Sequence, residues 1–164
     1  MKGLYKLGFS NGSLFNFRDV YLGEYQYILE GLDVGSQIDG EAFSAFKFAG
    51  DCLLVERHAH RLIARSEHSS FLLRQKLLSR GYAPHLVSPV LELLIGLGLV
   101  NDARFSQMYL ESLLSRKLLG PRRLYARLRA KGIPEDVAQN SLEEIYTDSL
   151  QCQKLSLFME KAGI

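Results

Sequence analysis

Four histidines and two cysteines are the side chains here best suited to ligate a metal or act as nucleophiles. His58 and His60 stand two apart in a helical pattern. On a helix such positions project about 200° apart, so the pair cannot close on one ion. His68 and His85 are isolated near predicted helix ends, where capping or exposure is expected. Cys52 and Cys152 have no C-x-x-C partner, which argues against a structural zinc site and for a reducing compartment. No carboxylate pair stands beside a His and a Ser or Cys in a nucleophile motif. Neither G-x-x-x-x-G-K-[ST] nor G-x-G-x-x-G occurs, and "GLGL" at 96–99 reads as a helix end and turn, not a phosphate cradle. The expectation is a non-enzyme with no metal and no cofactor.

The chemistry the sequence does offer is charge. The net +2 hides a segregation: Arg57 to Lys131 holds 14 Lys/Arg against 4 Asp/Glu, and the rest of the chain is acidic. The densest stretch is "GPRRLYARLRAKG", Gly120 to Gly132, with Arg122, Arg123, Arg127, Arg129 and Lys131 and no acid. Arg116 and Lys117 precede it. Between Ser112 and Pro134 arginine outnumbers lysine five to two, which suits bidentate recognition of carboxylate or phosphate. At helical spacing Leu124, Leu128, Tyr125 and Pro121 share a core side, and the arginines flank the exposed side. A solvated face is the ordinary reading of such residues. The absence of compensating acids favours an acidic or polyanionic partner instead. Sequence-specific DNA reading is poorly supported, because the helix lacks Asn, Gln or Thr to reach base edges. The following segment, "PEDVAQNSLEEI", is acidic. Single-strand binders interleave aromatics with basic residues, and only Tyr125 qualifies.

These residues need a scaffold. At 164 residues and 47% hydrophobic, the chain can build a packed core. No apolar run approaches the roughly 20 residues needed to span a bilayer, and no signal-peptide h-region is visible at the N-terminus. A cytoplasmic, membrane-free monomer is expected. "LYKLGF" and "LFNF" flanking "SNGS" predict a β-hairpin, with "EYQYIL" at 24–29 as a third strand. Two strands alone are marginal, so a third strand or a helical cover is needed. Asp39 is placed to cap a short helix over about 40–49, with Ala42, Phe43, Phe46 and Ala49 facing the sheet.

From Asp51 the periodicity is helical. Helices are predicted over about 52–65, 70–80, 84–97, 102–117, 121–131, 134–146 and 149–161. Leu54, Val55, Ala59, Leu62 and Ile63 form the apolar side of the first, and Arg57, Arg61 and Arg65 a stripe on another side. Ser69 is an N-cap, Gly81 and Gly132 are helix stops, and Pro89 should disturb the first turns of its helix. "LRQKLLSRGYAPHLVSPVLELL" (73–94) aligns with "LYARLRAKGIPEDVAQNSLEEI" (124–145) at an offset of 51 residues. The match pairs Leu73 with Leu124, Lys76 with Arg127, Leu77 with Leu128, Arg80 with Lys131 and Gly81 with Gly132. Leu54 and Leu62 pair with Phe105 and Leu113 at the same offset. The fold class expected is mainly α: tandem three-helix repeats in a curved array, behind a small β-hairpin or three-stranded region. The units would be a strand-rich extension (1–50), a first repeat (51–100), a second (101–148), and a third reduced to its first helix (149–164).

"GLVNDARF" (98–105) followed by "LGPRRLYARLRAKGI" (119–133) resembles the signature of the RecX regulatory proteins, and "ARSEHSSFLLRQKLLSRGY" (64–82) resembles their first repeat. The resemblance covers about 51–146, and more loosely the strand-rich start. It implies a modulator of the RecA recombinase. Such a protein lies along the groove of the RecA–DNA filament and inhibits ATP hydrolysis, strand exchange and coprotease activity, tuning recombination, DNA repair and the SOS response. Family members have three full repeats, so the short third repeat implies less surface on the filament. The filament contacts expected are Arg74, Lys76, Arg80, Arg116, Lys117, Arg122, Arg123, Arg127, Arg129 and Lys131, touching RecA directly or DNA within the filament. A DNA-binding helical module independent of RecA, and a helical scaffold for another partner, are the alternatives.

Overall fold

The computed structural model describes residues 3–116 and 119–145. The helix expected at 149–161, the short third repeat and Lys117 lie outside the described residues.

The hairpin forms where Asn-Gly predicts it. β1 (Leu4–Gly8) and β2 (Leu14–Arg18) pair antiparallel, with Tyr5 opposite Phe17 and Leu7 opposite Phe15. The loop is three residues long. Gly12 donates to the Phe9 carbonyl at 3.0 Å, and the Phe9 and Ser13 backbones close it at 2.9 Å. Gly12 takes a φ of 84°, the left-handed residue such a loop requires. Phe17 is fully buried and stacks on Tyr5 at 5.7 Å. Phe9, Phe15 and Phe43 meet edge to face at 5.0 to 5.5 Å.

The expected third strand is absent. Gly23–Gly31 is instead a 3-10 helix, preceded by a short one at Asp19–Tyr21. Tyr27, which strand pairing would set on one face with Tyr25, is 70% exposed. The hairpin is covered by a helix, the other of the two solutions open to a two-stranded sheet.

That helix, α1 (Gly40–Ile63), is one continuous element where two were expected. Asp39 caps it, accepting from the Ala42 amide at 2.7 Å. Gly50 does not break it. Gly50 faces β2, where an added Cβ would lie 3.5 Å from the Asn16 carbonyl oxygen, an ordinary van der Waals distance, so the packing there does not demand a glycine. Continuity also fixes the phase of the buried stripe: Ala42, Phe46, Ala49, Cys52, Val55, Ala59 and Leu62. Leu54, expected in the core, falls off that stripe and is 54% exposed. Its place is taken by Cys52 and Leu53. Arg57, Arg61 and Arg65 are exposed as the stripe predicts.

Beneath β2, Glu56 is a buried carboxylate. It accepts from Arg18 Nη1 at 2.6 Å and from the Tyr21 hydroxyl at 2.9 Å, and His60 Nε2 lies 3.4 Å away. A buried carboxylate is tolerated only when satisfied in this way. Burial and the bond to Glu56 hold the Tyr21 hydroxyl far above its ordinary pKa.

Four further helices follow: α2 (Ser70–Leu78), α3 (Pro84–Gly96), α4 (Asp102–Leu114) and α5 (Pro121–Ala130). Residues 135–145 form α6. α3 runs on through Pro89, whose missing N–H costs one bond early in the helix. The residues cluster into two compact units. Among the described residues, one holds those up to Ser66 with Arg74–Leu97, the other Glu67–Leu73 with those from Gly98 on.

Each unit holds one copy of the glycine stop. After α2, the amides of Gly81 and Tyr82 bond the carbonyls of Leu78 and Leu77. After α5, those of Gly132 and Ile133 bond Arg129 and Leu128, at the same offset of 51 residues. Both glycines have positive φ, 89° and 75°. This is the Schellman arrangement, in which a left-handed glycine lets two orphan carbonyls be met. The leucines repeat as well: Leu73 and Leu77 are fully buried in one copy, Leu124 and Leu128 in the other.

Candidate partner-binding surface

The core of the second unit gathers Phe105, Leu110, Leu124, Leu128, Ile133, Ala138 and Leu142, with Leu72 and Tyr125 packed on its edge. α5 gives this core its two leucines and turns its arginines outward. Arg122, Arg123 and Arg127 are exposed, and among the described residues no carboxylate pairs with any of them. Pro121, placed on the core side by the pattern, is exposed as well. A proline at the first position lacks an N–H anyway, and no side chain caps the helix at Gly120. The positive end of α5 therefore opens beside two guanidiniums. A cleft of about 530 Å³ lies there, lined among the described residues by Gly120, Pro121, Arg122 and Arg123. The amides of Arg123 and Leu124 turn to the Gly120 carbonyl, so it is the helix dipole and the two arginines that favour an anion, carboxylate or phosphate.

Two basic residues of the run have tasks inside the fold. Arg129 Nη1 donates to the Ile133 carbonyl at 2.7 Å, bracing the turn after α5. Lys131 is half-buried, its ammonium 5.7 Å from the centre of the Tyr109 ring. Its carbonyl accepts from the Ser69 hydroxyl at 2.8 Å. Arg116 is exposed just after α4. Arg74, Lys76 and Arg80 are exposed on and after α2, in the other unit.

The segment "VNDARF" is a structural latch that the pattern alone did not reveal. Asn101, not Asp102, caps α4, accepting from the Arg104 amide at 2.9 Å. Asp102 is thereby free to cap a different helix. Its two carboxylate oxygens take the Ser70 amide and the Ser70 hydroxyl, each at 2.7 Å, at the start of α2. Ser69 shares in that cap, accepting from the Leu72 amide at 3.2 Å. Arg104 pairs with Glu67 and donates to the carbonyls of Gly98 and Leu99 at 3.0 and 3.1 Å. Phe105 enters the core. The sequence signal was a carboxylate one place inside a helix already capped by Asn.

The residues weighed for metal or nucleophilic chemistry are otherwise engaged. His58 Nδ1 bonds the Tyr82 hydroxyl, and His60 faces Glu56. Among the described residues no group of three His, Cys, Asp or Glu could hold a metal ion. Cys52 is buried, and burial, with the charges of Asp51 and Glu56, pushes its thiol up to about 12, which leaves it a poor nucleophile. No helix among the described residues is long and apolar enough to cross a membrane.

A family model described as "RecX, second three-helix domain" matches residues 101–142. Regulatory protein RecX of Halorhodospira halophila is 40% identical over 96 residues, 58% of this chain and 59% of its own length. That of Chromohalobacter salexigens is 36% identical over 107 residues, 64% of this chain and 70% of the relative. That of Chlorobium limicola is 36% identical, and the match spans only 55% of its length. Thus the chain spans little more than half of some relatives that it matches. A crystal structure of regulatory protein RecX superposes with a TM-score of 0.70 at 21% identity, covering 88% of this chain and 69% of that one. RecX from Lactobacillus salivarius does so with a TM-score of 0.56 at 26% identity, covering 68% and 71%. The helical fold is shared with these structures. The chain belongs to the RecX family of regulatory proteins.

Proposed function

We propose that this protein regulates RecA by lying in the groove of the RecA–DNA filament. There it restrains ATP hydrolysis, strand exchange and coprotease activity, and so tunes recombination, repair and the SOS response. It acts as a cytoplasmic monomer and performs no catalysis. The three-helix units over 51–100 and 101–148 supply the binding face. The observation that carries this reading is the face of α5. Arg122, Arg123 and Arg127 are exposed and unpaired among the described residues, while the leucines of the same helix are fully buried. A face held rigid by its core and left uncompensated in charge suits an acidic or phosphate-bearing partner. Arg74, Lys76, Arg80 and Arg116 extend the set of contacts. Arg129 and Lys131 join it through whatever part of each cation is not engaged internally, and Lys117 through its charge.

The test is the DNA-dependent ATPase of RecA, with the wild-type chain and with Arg122→Glu/Arg123→Glu. Wild type should slow hydrolysis at micromolar concentration, and the charge-reversed protein should lose most of that effect at unchanged melting temperature. No slowing by wild type at low salt would sink the proposal. The same guanidiniums suit naked DNA as a runner-up. Steeply salt-dependent binding to DNA without RecA, and no effect on RecA, would install that reading instead.

A further inference from the structure

The segment Asp19–Glu41 carries six acidic residues and no Lys, Arg or His, the reverse of α5. The two 3-10 helices lay part of it along the first turns of α1. Between them is a cleft of about 440 Å³, walled by Tyr21, Glu24 and Tyr25 on one side and Glu41, Ala45 and Phe48 on the other. Glu41, Ala45 and Phe48 share a face of α1, being four and three residues apart. The rings are held in place. Tyr21 is buried and tied to Glu56, and Phe48 stacks on His85 at 6.2 Å. The Tyr25 hydroxyl donates to Glu41 Oε2 at 3.3 Å. The walls contain no basic group. Lys47, next to Phe48 in sequence, pairs with Asp51 at 3.6 Å.

The field in the cleft is negative. The Tyr25 hydroxyl is held above its ordinary pKa by partial desolvation, then by Glu41, then by Glu24 and Asp39. Those carboxylates act together on one aromatic group.

We propose that this cleft receives a cationic side chain, arginine or lysine, displayed on a basic segment of a partner protein. The chemistry of the walls selects that occupant. An apolar side chain would desolvate Glu24 and Glu41 with nothing in return. Phosphate, and with it nucleic acid, is repelled by the same carboxylates. A guanidinium or ammonium meets aromatic faces and carboxylates together, gaining a cation–π contact and charge-assisted hydrogen bonds. The site lies in the first unit and does not rest on the RecA reading, so either proposal can fail without the other.

The test is an NMR titration of the ¹⁵N-labelled full chain with a capped tetra-arginine peptide, using tetra-serine as control, at low salt. Saturable shifts are expected at the amides of Glu24, Tyr25, Glu41 and Phe48, and none with tetra-serine. Glu24→Gln/Glu41→Gln should weaken binding about 10-fold and Tyr25→Leu about 5-fold, as expected for charge-assisted and cation–π contacts. Tyr25→Phe keeps the ring and should bind within about 2-fold of wild type by the same logic. Wild-type affinity in the doubly neutralised variant would overturn the proposal. So would shifts confined to the acidic helix α6. Should Tyr25→Leu lower the melting temperature, the ratio between the double Gln variant and Tyr25→Phe decides alone.

Discussion

The two glycine stops make a natural experiment. Gly81 and Gly132 end equivalent helices, share a left-handed backbone and make the same pair of backbone bonds, yet their surroundings differ. A Cβ at Gly81 would meet nothing within 4 Å, whereas one at Gly132 would collide with the Cβ and ring of Phe71. The first glycine is required by backbone geometry alone. The second is required by geometry and by a side chain pressed against it. A shared local motif therefore fixes the turn in both places, and packing decides how much each turn can tolerate.

The sharpest break of that symmetry should come from alanine at each stop. Gly132→Ala should cost about 3–4 kcal/mol, combining the left-handed penalty with overpacking against Phe71. Gly81→Ala should cost about 1 kcal/mol, the backbone penalty alone. Urea unfolding of each variant measures the gap, and equal losses would show that Phe71 yields freely. Slightly smaller is the core pair. Leu128→Ala and Leu77→Ala should each cost about 3 kcal/mol, because both side chains are fully buried. Here the two copies should agree, and a difference above about 2 kcal/mol would mean that one site collapses around its cavity.

Asp51 and Asp102 stand at the same offset and test the comparison at intermediate size. Asp102 takes both the amide and the hydroxyl of Ser70, while Asp51 makes a half-exposed pair with Lys47. Asp102→Ala should cost about 2 kcal/mol, as a lost cap with a carboxylate acceptor. Asp51→Ala should cost no more than about 0.5 kcal/mol. Thermal melts of the two variants side by side would show it. Smallest of all is Arg122→Glu/Arg123→Glu, expected to stay within about 0.5 kcal/mol of wild type because neither side chain has an internal partner among the described residues. Loss of stability comparable to Asp102→Ala would show that these arginines hold the fold together.

Local signals in the sequence are decisive where one residue type has one physical use. Asn11-Gly12 placed the hairpin, Asp39 and Ser69 their caps, and Gly81 and Gly132 their stops. The leucine seam of α5 and the outward arginines followed from helical spacing. Signals failed where two local structures compete. "EYQYIL" alternates enough for a strand, but no sheet edge claims it. Gly50-Asp51 resembles a helix boundary, but α1 runs on through it beside β2, and the unbroken helix moved Leu54 out of the core. Of the proposed contacts, Arg129 and Lys131 are indistinguishable from their neighbours in sequence. Their internal partners, the Ile133 carbonyl and the Tyr109 ring, appear only after folding.

The amino-acid sequence by itself determined the periodic skeleton. It set the hairpin, most of the helices, two glycine-stopped repeats and the charge segregation, since capping, left-handed turns and amphipathic spacing act over a few residues. Tertiary structure alone decided which charges are spent internally, that Phe71 presses on Gly132 while nothing meets Gly81, and that Asp102 caps α2. Those outcomes depend on groups distant in sequence meeting at hydrogen-bond or van der Waals distance, which spacing along the chain does not encode.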